Sequence, residues 1–591
     1  MLHKAISGRL NVWVDLGVDP LLTRGITRLR LHFGEASFYL EEVKAAAGEA
    51  AAFTFQLPTD YLGLERQLRI AFPRSFPYLP PEFSAAPSPK LDWPHVMDYG
   101  FCLYAGGERP ITGSPEEVVD AAIRKVFSLI RIALPDADPV EREKEFAKEI
   151  RSYWLLQQPQ AGHRLTLAKI PRGSTPLYVV SQRSDLQRQN VRYVAAENYE
   201  DISLLEQRFG RRALSKRNTA RPGFFLRLHT TPPPRLPAAD LLPWLAPHVD
   251  PDDRQAFSDW VVGGAKFASR WLVLALPVEG SALYTFHLRS KEVVRQRASV
   301  YGRRANRVSS VYAAPDRYQA EFTPIDVLDP LVVHQRGGSA AQTLANKRVV
   351  LIGAGSLGGE VSVLLARSGV GRLALVDNDL FEDVNIGRHV LGAESLGKRK
   401  VEALKHRITR DVPTVTVEAF PQLFQRMGAR LEAELASADM VIITTADWGS
   451  EDLIWEMKSK EASWSLVHAW SEPHSLVGHA LVAPPGASDA RRLFEAENFR
   501  HRLSNWPNDG IEALPACGAS FIPGGPIGLA RIAGMVAQIA VDALLQPPQE
   551  SSWHASAGQL DRLESLGGTY SGPSMAAGVN AIEQNLPWPS E

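Results

Sequence analysis

The segment RVVLIGAGSLGG, residues 348–359, constrains the fold more than any other part of the sequence. A short run of branched apolar residues ends in glycine, as a buried strand of a parallel sheet does, and helical apolar spacing follows. Gly353, Gly355 and Gly358 have the G-x-G-x-x-G spacing of a strand-to-helix turn whose backbone can approach a phosphate. This pattern favours a nucleotide site over a bare structural turn.

Two further apolar segments, GRLALVDND and ADMVIITTAD, read as buried strands that alternate with helical segments. This alternation predicts an α/β domain built on a doubly wound parallel sheet. Asp377 ends the second strand, where a carboxylate suits the hydroxyl groups of a ribose. A nicotinamide-dependent oxidoreductase would share all of these features, so it stays open as an alternative at this point.

The segment that follows Asp377 carries an unusual density of polar side chains. Asp379, Asn385, Arg388 and Lys400 come in close succession. Nicotinamide binding does not need so many charges. Attack on the α-phosphorus of ATP does need cations, because negative charge builds on the phosphate and on the departing pyrophosphate. Asp447 closes another predicted strand, and its carboxylate is a candidate ligand for Mg²⁺.

This combination resembles the activating domain of ubiquitin-activating enzymes and their bacterial ThiF and MoeB relatives. The resemblance extends from about Leu344 to Leu545 and rests on a glycine loop, D-x-D, N-x-x-R, G-x-x-K and a strand that ends in aspartate. It implies ATP-dependent adenylation of a protein's C-terminal carboxylate by a homodimer, with Arg336 as the candidate arginine lent to the partner's ATP. The family's usual glutamine after N-x-x-R is His389 here. The family's paired CxxC motifs are missing, so no zinc is expected.

Only two cysteines are present in 591 residues, Cys102 and Cys517. Cys517 stands in PACGASFIPGGP, a stretch of small residues suited to an exposed loop. The resemblance implies that a cysteine at this place takes the activated carboxylate as a thioester, and a thiolate is a good nucleophile for that step. A buried structural cysteine is the alternative reading.

The other cysteine lies in an N-terminal segment that resembles the core of ubiquitin-conjugating enzymes, from about Leu10 to Leu134. The matching residues are Phe76, Pro77, Pro80, Pro81, Pro94, His95, Gly100, Cys102 and Leu103. A helix with a Ser114–Glu117 capping box is predicted after them. The resemblance implies that Cys102 is an acyl acceptor. WPH replaces the family's H-P-N, so His95 is expected to contact the oxyanion, to deprotonate an amine, or simply to pack under the loop.

A conjugating-like domain ahead of an activating-like domain resembles the fusion enzymes of bacterial cyclic-oligonucleotide anti-phage (CBASS) operons. The resemblance implies that the C-terminus of a cyclic-oligonucleotide synthase is adenylated, moved to Cys517, moved to Cys102 and joined to an amine. Another ubiquitin-like protein or a sulfur carrier is the alternative substrate. Breaks in composition, at a charged segment from about Pro135, a proline-rich stretch 230–247 and the segment HQRGGSAAQ at 334–342, separate the predicted domains. These are 1–155 (conjugating-like), 156–330 (connector), 331–565 (adenylation) and a loosely ordered tail 566–591.

The connector carries no decisive motif. It reads as an α+β region with strands in RWLVLALPV and ALYTFHLR, and its arginines favour a solvated face over a grip on an acidic partner or RNA: Arg295, Arg297, Arg303, Arg304 and Arg307. His468, His474 and His479 are expected to be strand and turn residues and not metal ligands. A net charge of −1 and the absence of an evident signal peptide or membrane span predict a cytoplasmic protein that requires neither membrane nor nucleic acid.

Overall fold

The computed structural model describes residues 19–34, 39–98, 100–104, 113–157, 163–182, 191–209, 220–237, 241–263, 267, 269–277, 282–290, 318–460, 462–487, 489–495, 498–513, 520–574 and 581–588. The chain divides into two compact units. The first comprises residues 1–165, 171–197 and 215–325, and the second comprises residues 166–170, 198–214 and 326–591. The domain boundaries expected from the sequence stay predictions.

The N-terminal part of the first unit is an antiparallel sheet with helices. Its elements are α1 (Pro20–Phe33), β1 (Glu41–Val43), β2 (Glu49–Gln56), β3 (Gln67–Pro73), β4 (Glu82–Ala86), β5 (Val96–Met97), β6 (Gly100–Phe101), α2 (Pro115–Ile132), α3 (Pro139–Lys148) and α4 (Ile150–Gln157). Strands β1 to β4 pair in chain order, and β5 pairs with β6. Alternate residues of β3, Leu68, Ile70 and Phe72, join Leu29 and Val119 in one apolar core because side chains two apart share a sheet face.

The capping box predicted for α2 is confirmed. Ser114 Oγ accepts the amide proton of Glu117 at 3.3 Å, and Glu117 Oε2 accepts that of Ser114 at 2.8 Å. Pro115 occupies the first turn, where its missing N–H costs nothing. This cap fixes where the helix after the Cys102 loop begins.

The middle of the chain adds a second sheet. Its elements are β7 (His163–Leu167), β8 (Thr175–Gln182), β9 (Val191–Ala196), α5 (Tyr199–Phe209), β10 (Arg221–Arg227), α6 (Leu241–Leu245), α7 (Arg254–Gly263), β11 (Ser269–Ala275), β12 (Leu283–Ser290), β13 (Tyr318–Phe322) and β14 (Ile325–Val327). The order β13-β12-β11-β10-β8-β9 is antiparallel except for β10 beside β11. The two segments predicted as connector strands are β11 and β12, so that prediction is confirmed.

The second unit contains the sheet predicted from the glycine motif. Its elements are α8 (Pro330–Val333), α9 (Ala340–Leu344), β15 (Arg348–Ile352), α10 (Ser356–Ser368), β16 (Arg372–Val376), α11 (Lys400–Asp411), β17 (Thr416–Phe420), α12 (Ala429–Ala436), β18 (Met440–Ile443), α13 (Trp448–Ser459), β19 (Ser465–Ser471), β20 (Val477–Ala483), β21 (Phe494–Glu495), β22 (Asn498–Phe499), β23 (Ser504–Asn505), β24 (Glu512–Ala513), β25 (Ser520–Phe521), α14 (Pro526–Leu545), β26 (Ser552–Gly558), α15 (Leu560–Ser565), β27 (Thr569–Tyr570) and β28 (Ala581–Leu586).

Strands β17-β16-β15-β18-β19 of this sheet are parallel. The order reverses between β15 and β18, which is the switch point where open α/β sheets bind ligands beyond the strand ends. Antiparallel strands β20, β26 and β28 continue the sheet. The predicted α/β class with a doubly wound parallel sheet is therefore confirmed.

Two expectations about the C-terminal segments need correction. The tail, expected to be loosely ordered, contributes β28, which pairs with β26 from Trp553 to Gly558 and supplies that strand with backbone hydrogen-bond partners. Helix α14 is long and apolar enough by composition to cross a bilayer, although no such run was expected. Ile532, Ala533 and Val536 are buried in the core that also holds Val361 of α10, as in a core helix of a globular unit.

Candidate functional site

The glycine turn after β15 depends on two glycines that have no room for a side chain. Gly353 has φ +94°, and a Cβ there would lie 2.8 Å from the amide nitrogen of Thr445. A Cβ on Gly358 would lie 1.9 Å from the carbonyl oxygen of Gly353 and 2.5 Å from Thr444 Oγ1. These close approaches are to the turn that follows β15 and to the segment that follows β18. The glycines therefore let α10 start directly against the ends of these two strands.

The middle glycine of the motif has the opposite environment. Gly355 is the residue before α10, and no atom lies within 4 Å of a Cβ built on it. Within the part of the chain that the structure describes, no side chain caps this helix. The first amide groups of a helix lack partners within the helix and favour an anion in front of them. The turn therefore offers open space and backbone donors at the point where the sequence predicts a phosphate.

Asp377 lies directly after β16 and holds the glycine turn. Its Oδ2 accepts the amide proton of Ala354 at 2.7 Å, and its Oδ1 accepts that of Asp379 at 2.7 Å. The predicted ribose carboxylate is therefore at the expected strand end. It also has a role that sequence reasoning missed, since it ties the turn after β15 to the turn after β16.

Asp379 and Lys400 form an ion pair. Lys400 Nζ lies 2.7 Å from Asp379 Oδ2, and the Lys400 amide donates to the Asp379 carbonyl at 3.0 Å. The side chain of Lys400 is 10% exposed and that of Asp379 is 67% exposed. The lysine ammonium is thus held at the start of α11 by a carboxylate that still faces solvent.

Asn385 and Arg388 lie in the loop between β16 and α11. Asn385 Oδ1 accepts the amide proton of Glu382 at 3.0 Å, which closes a short helical turn. Arg388 donates its amide to the Asn385 carbonyl at 3.1 Å. The Nε atom of Arg388 is buried and has no hydrogen-bond partner within the described residues. A buried guanidinium nitrogen without a partner is costly, so this atom fits an anionic ligand.

His389 replaces the glutamine of the resembled family and contacts the glycine turn. Its Nε2 donates to the carbonyl oxygen of Ala354 at 2.9 Å, and its Nδ1 accepts the amide proton of Leu391 at 3.1 Å. Burial lowers the pKa of His389, against the raising effect of the Ala354 carbonyl. The ring is therefore neutral at pH 7 and joins the Arg388 loop to the turn after β15.

Asp447, the predicted Mg²⁺ ligand, lies at the carboxyl side of β18 and caps α13. Its Oδ2 accepts from Ser450 Oγ at 2.6 Å and from Gln425 Nε2 at 2.5 Å. The hydrogen bond from Ser450 is the largest of the effects that lower the pKa of Asp447, so the carboxylate is charged at neutral pH. Among the described side chains, no group of three or more His, Cys, Asp or Glu could hold a metal ion. A magnesium ion here would rely on water and phosphate oxygens for its other ligands.

Arg336 is not brought into this group. It lies in the short turn Gln335–Gly337, its side chain is exposed, and within the described part of the chain it forms no ion pair. Its assignment to a partner's nucleotide stays a prediction.

Cys102 follows the short hairpin of β5 and β6 and is half-buried. Its amide donates to the carbonyl of His95 at 2.7 Å, and its thiol donates to the carbonyl of Tyr104 at 3.5 Å. Lys125 of α2 lies 4.5 Å from the centre of the Tyr104 ring. The thiol is therefore near the surface, on a loop that is tied down by its own backbone.

His95 has a positive φ of +61° and both ring nitrogens contact carboxylates. Nε2 lies 3.0 Å from Glu145 Oε2, and Nδ1 lies 3.1 Å from Glu149 Oε2. Burial acts to lower the pKa of His95, but the hydrogen bonds to Glu149 and Glu145 outweigh it and raise that pKa. An imidazolium whose two N–H groups are already used does not favour the role of a base.

Cys517 and the connector arginines at 295, 297, 303, 304 and 307 lie outside the described residues. Strands β24 and β25, on either side of Cys517 in the chain, pair antiparallel. His468 and His479 lie on strands β19 and β20, where they contact Glu451 at 3.4 Å and Glu472 at 2.7 Å. These two histidines are strand residues, as the sequence predicts.

Several contacts that shape these sites had no signal in the sequence. Gln425 and Asp447 come from different elements, as do His95 and Glu145. The one available hint was spacing, because Glu145, Glu149 and Tyr153 recur every four residues and so share one helical face.

Residues 331–569 match the model of the ThiF family. Over 467 residues the chain is 24% identical to the ATP-dependent ubiquitin transferase-like protein Cap2 of Pseudomonas aeruginosa, which covers 75% of this chain and 77% of that protein. It is 30% identical over 228 residues to the uncharacterized protein y4qC of Sinorhizobium fredii, which covers 35% of this chain and only 38% of that protein. Crystalline E. coli MccB is 19% identical, with a TM-score of 0.29, over 43% of this chain and 68% of MccB. A TM-score this low supports no conclusion.

The resemblance found in the sequence is confirmed by these matches, and so is the enzyme class predicted for the C-terminal domain, an adenylating domain of the ubiquitin-activating type. Residues 331–569 are a ThiF-family domain, within a chain that is similar to a Cap2 protein along 75% of its length.

Proposed function

We propose that this protein activates the C-terminal carboxylate of another protein with ATP, carries it as a thioester on Cys517 and then Cys102, and joins it to an amine. The observation that carries the proposal is the set of candidate nucleotide-binding residues at the switch point of the sheet. There Asp377 ties the glycine turn, Lys400 is held in place, and Arg388 has a buried donor without a partner within the described residues.

The residues present fit ATP. Open space in front of Gly355 lies beside the unpartnered first amides of α10, and Arg388 Nε offers a buried donor. Arg388 and Lys400 would hold the phosphates, and Asp377 would hold the ribose. ATP supplies the α-phosphate for the new carboxyl–phosphate bond and the pyrophosphate that leaves.

The cations of the site balance charge during activation. As the carboxylate oxygen bonds to phosphorus, negative charge grows on the phosphate oxygens and on the leaving pyrophosphate. Arg388 and Lys400 offset that charge. Little further free energy is needed to remove water from their cationic groups, because the fold already holds Arg388 partly buried and Lys400 buried. Asp447 would hold Mg²⁺ near the same phosphates through one carboxylate.

The thiols act after activation. The Cys517 thiolate attacks the activated carbonyl carbon, and AMP leaves with the electron pair of the broken bond. The Cys102 thiolate then displaces Cys517, which leaves as a thiolate. An amine finally displaces Cys102, gives up a proton and forms an amide. Because the chain has only two cysteines, no bystander thiol competes for the acyl group.

The likeness to a protein named as an ATP-dependent ubiquitin transferase-like protein supports a protein substrate. The order of the conjugating-like and activating-like segments is the ground for proposing a cyclic-oligonucleotide synthase of an anti-phage operon as that substrate, with a flexible C-terminus and a lysine-type amine as acceptor. The same proposal includes a homodimer in the cytoplasm, with Arg336 reaching the partner's ATP. Another ubiquitin-like protein or a sulfur carrier is the alternative substrate. A conjugating-like domain argues against the sulfur carrier, because sulfur transfer needs no second acyl-carrying thiol.

Exchange of labelled pyrophosphate into ATP tests the activation step. A cyclic-oligonucleotide synthase, the proposed substrate, is expected to stimulate exchange. Arg388→Ala is expected to reduce the exchange at least tenfold, as loss of a phosphate contact in a transition state does, by about 1.4 kcal/mol or more. Lys398→Ala is the matched control, because the exposed side chain of Lys398 donates to the carbonyl of the nearby Glu394. Exchange that ignores the synthase, or that survives removal of Arg388, contradicts the proposal. Tight binding of reduced nicotinamide dinucleotide would favour the oxidoreductase alternative.

A further inference from the structure

The Cys102 loop is held by helices that lie beyond the segment resembling a conjugating enzyme. That resemblance ends near Leu134, whereas α3 and α4 occupy residues 139–157. Glu145 of α3, Glu149 between the two helices and Tyr153 of α4 all contact His95. No role has been assigned so far to these three side chains.

The backbone of His95 makes the first set of contacts that hold the Cys102 loop. A positive φ of +61° is uncommon for a residue other than glycine and persists where neighbouring groups enforce it. Two hydrogen bonds do so. The His95 amide donates to Tyr153 Oη at 2.7 Å, and the His95 carbonyl accepts the Cys102 amide at 2.7 Å. The position of the Cys102 backbone is therefore coupled to Tyr153 through one residue.

The ring of His95 makes the second set of contacts. Its two nitrogens donate to Glu145 at 3.0 Å and to Glu149 at 3.1 Å, and Glu149 also accepts from the Tyr153 hydroxyl at 3.1 Å. Tyr153 is fully buried, and burial is the main reason that its pKa is raised well above the ordinary value. It therefore remains a neutral hydroxyl that accepts from the His95 amide and donates to Glu149.

We propose that Tyr153, Glu149 and Glu145 are positioning residues for Cys102, which lock His95 in the conformation whose carbonyl holds the Cys102 amide. The meaning of this arrangement for acyl transfer depends on the proposed function. The effect of these residues on the reactivity of the Cys102 thiol is testable without ATP or any substrate.

The contacts of His95 with Glu145 and Glu149 depend on pH, because they need the protonated imidazole. The titratable and charged groups around His95 are Glu145, Glu149, Tyr153 and Cys102, and Lys148 pairs with Glu145 on the outer side. Carboxylates on both sides raise the pKa of His95 against the effect of burial. As pH rises through that pKa, one ring N–H is lost and one carboxylate contact breaks. His95 is then held less firmly in the conformation that binds the Cys102 amide.

The test measures alkylation of Cys102 by iodoacetamide in a Cys517→Ser background, where Cys102 is the sole thiol. Tyr153→Phe is expected to raise the alkylation rate about threefold or more, because it removes the hydrogen bond from the His95 amide, worth about 1 kcal/mol, together with the one to Glu149, and so frees the loop. Tyr178→Phe is the matched control, since Tyr178 lies on β8 and is 42% exposed. Circular dichroism checks the fold of each variant.

The pH profile separates positioning from general structural support. From about pH 6 to about pH 9, the parent protein is expected to show an inflection from His95 in addition to that of the thiol. Glu149→Gln keeps an acceptor for Tyr153 but removes the charge, so it is expected to move the His95 inflection to lower pH. If Tyr153→Phe does not fold, Glu149→Gln alone tests whether the contacts of His95 position Cys102.

A single inflection in the parent protein, or an unchanged profile in Glu149→Gln, overturns the inference. Its failure is distinguishable from failure of the proposed function, because alkylation needs neither ATP nor a protein substrate. Absence of pyrophosphate exchange together with the expected His95 inflection would contradict the proposed function and support the positioning of Cys102 through His95.

Discussion

His389 Nε2 donates a hydrogen bond to the carbonyl oxygen of Ala354, 2.9 Å away, and so joins the loop that carries Arg388 to the glycine turn. The Nδ1 atom of the same ring accepts from the Leu391 amide at 3.1 Å. Only a neutral imidazole with its proton on Nε2 satisfies both contacts. The residue that departs from the resembled family is thus an integral part of the nucleotide turn.

Replacement of His389 tests this contact. His389→Ala is expected to lower pyrophosphate exchange about tenfold, the equivalent of about 1.4 kcal/mol, because both loops lose a buried partner. His389→Gln retains a donor and an acceptor and is expected to keep most of the activity. Equal losses in both variants would show that the hydrogen bonds do not matter.

The same residue predicts a pH effect on stability. Its pKa is lowered by burial, so the unfolded chain binds the proton at higher pH than the folded chain does. The stability from neutral His389 is therefore complete above the ordinary value of 6.5 and is lost as pH falls toward the folded pKa. Denaturant unfolding at several acidic pH values should show this loss in the parent protein and not in His389→Gln.

The glycine turn predicts opposite outcomes for two alanine substitutions. A Cβ on Gly358 would lie 1.9 Å from the Gly353 carbonyl, so Gly358→Ala is expected to destabilise the second unit by about 1–3 kcal/mol. Gly355 has open space and φ −70°, so Gly355→Ala should fold normally. It should nevertheless weaken binding of a non-hydrolysable ATP analogue, because the methyl group occupies the phosphate space. Thermal unfolding and calorimetry measure the two effects, and unchanged affinity in Gly355→Ala would contradict the assigned phosphate position.

Lys458 predicts a second pH effect, with the same sense but at higher pH. It is fully buried on α13, donates to the Trp464 carbonyl at 2.6 Å, and burial lowers its pKa to about 8. Between this pKa and the ordinary value of 10.5 the unfolded chain holds the extra proton, so stability rises with pH. Relative to Lys458→Met, the parent protein should gain about 2 kcal/mol between about pH 7.5 and about pH 10.

The exposed Lys460, which pairs with Glu456, provides the control for that experiment. Lys460→Met should show no such change in its difference from the parent protein across the same pH range. A parallel pH dependence in the parent protein and in Lys458→Met would mean that Lys458 is charged in the folded state.

Patterns that are contiguous in the chain were predictable from the sequence. The glycine spacing placed the turn after β15, and apolar runs that end in polar residues placed Asp377 and Asp447 at strand ends. The Ser114–Glu117 capping box was also predictable, because both residues lie within one helical turn. In each of these cases the physical cause acts over a few residues.

Contacts between distant segments were not predictable. The Glu145 carboxylate reaches His95 across 50 positions of sequence, and Gln425 reaches Asp447 across 22. Such pairs depend on packing of whole elements, and a single sequence carries no record of it. Strand β28 was missed for the same reason, because its pairing with β26 comes from the sheet edge and not from its own short pattern.

The central claim is that an acyl group passes from Cys517 to Cys102, and peptide mass spectrometry of the thioester tests it most directly. The protein is incubated with Mg-ATP and the proposed substrate, a cyclic-oligonucleotide synthase, and each cysteine is examined with and without reductant. The account predicts that Cys517→Ala abolishes loading of Cys102 and that Cys102→Ala traps the acyl group on Cys517. Normal loading of Cys102 in the Cys517→Ala variant would contradict it.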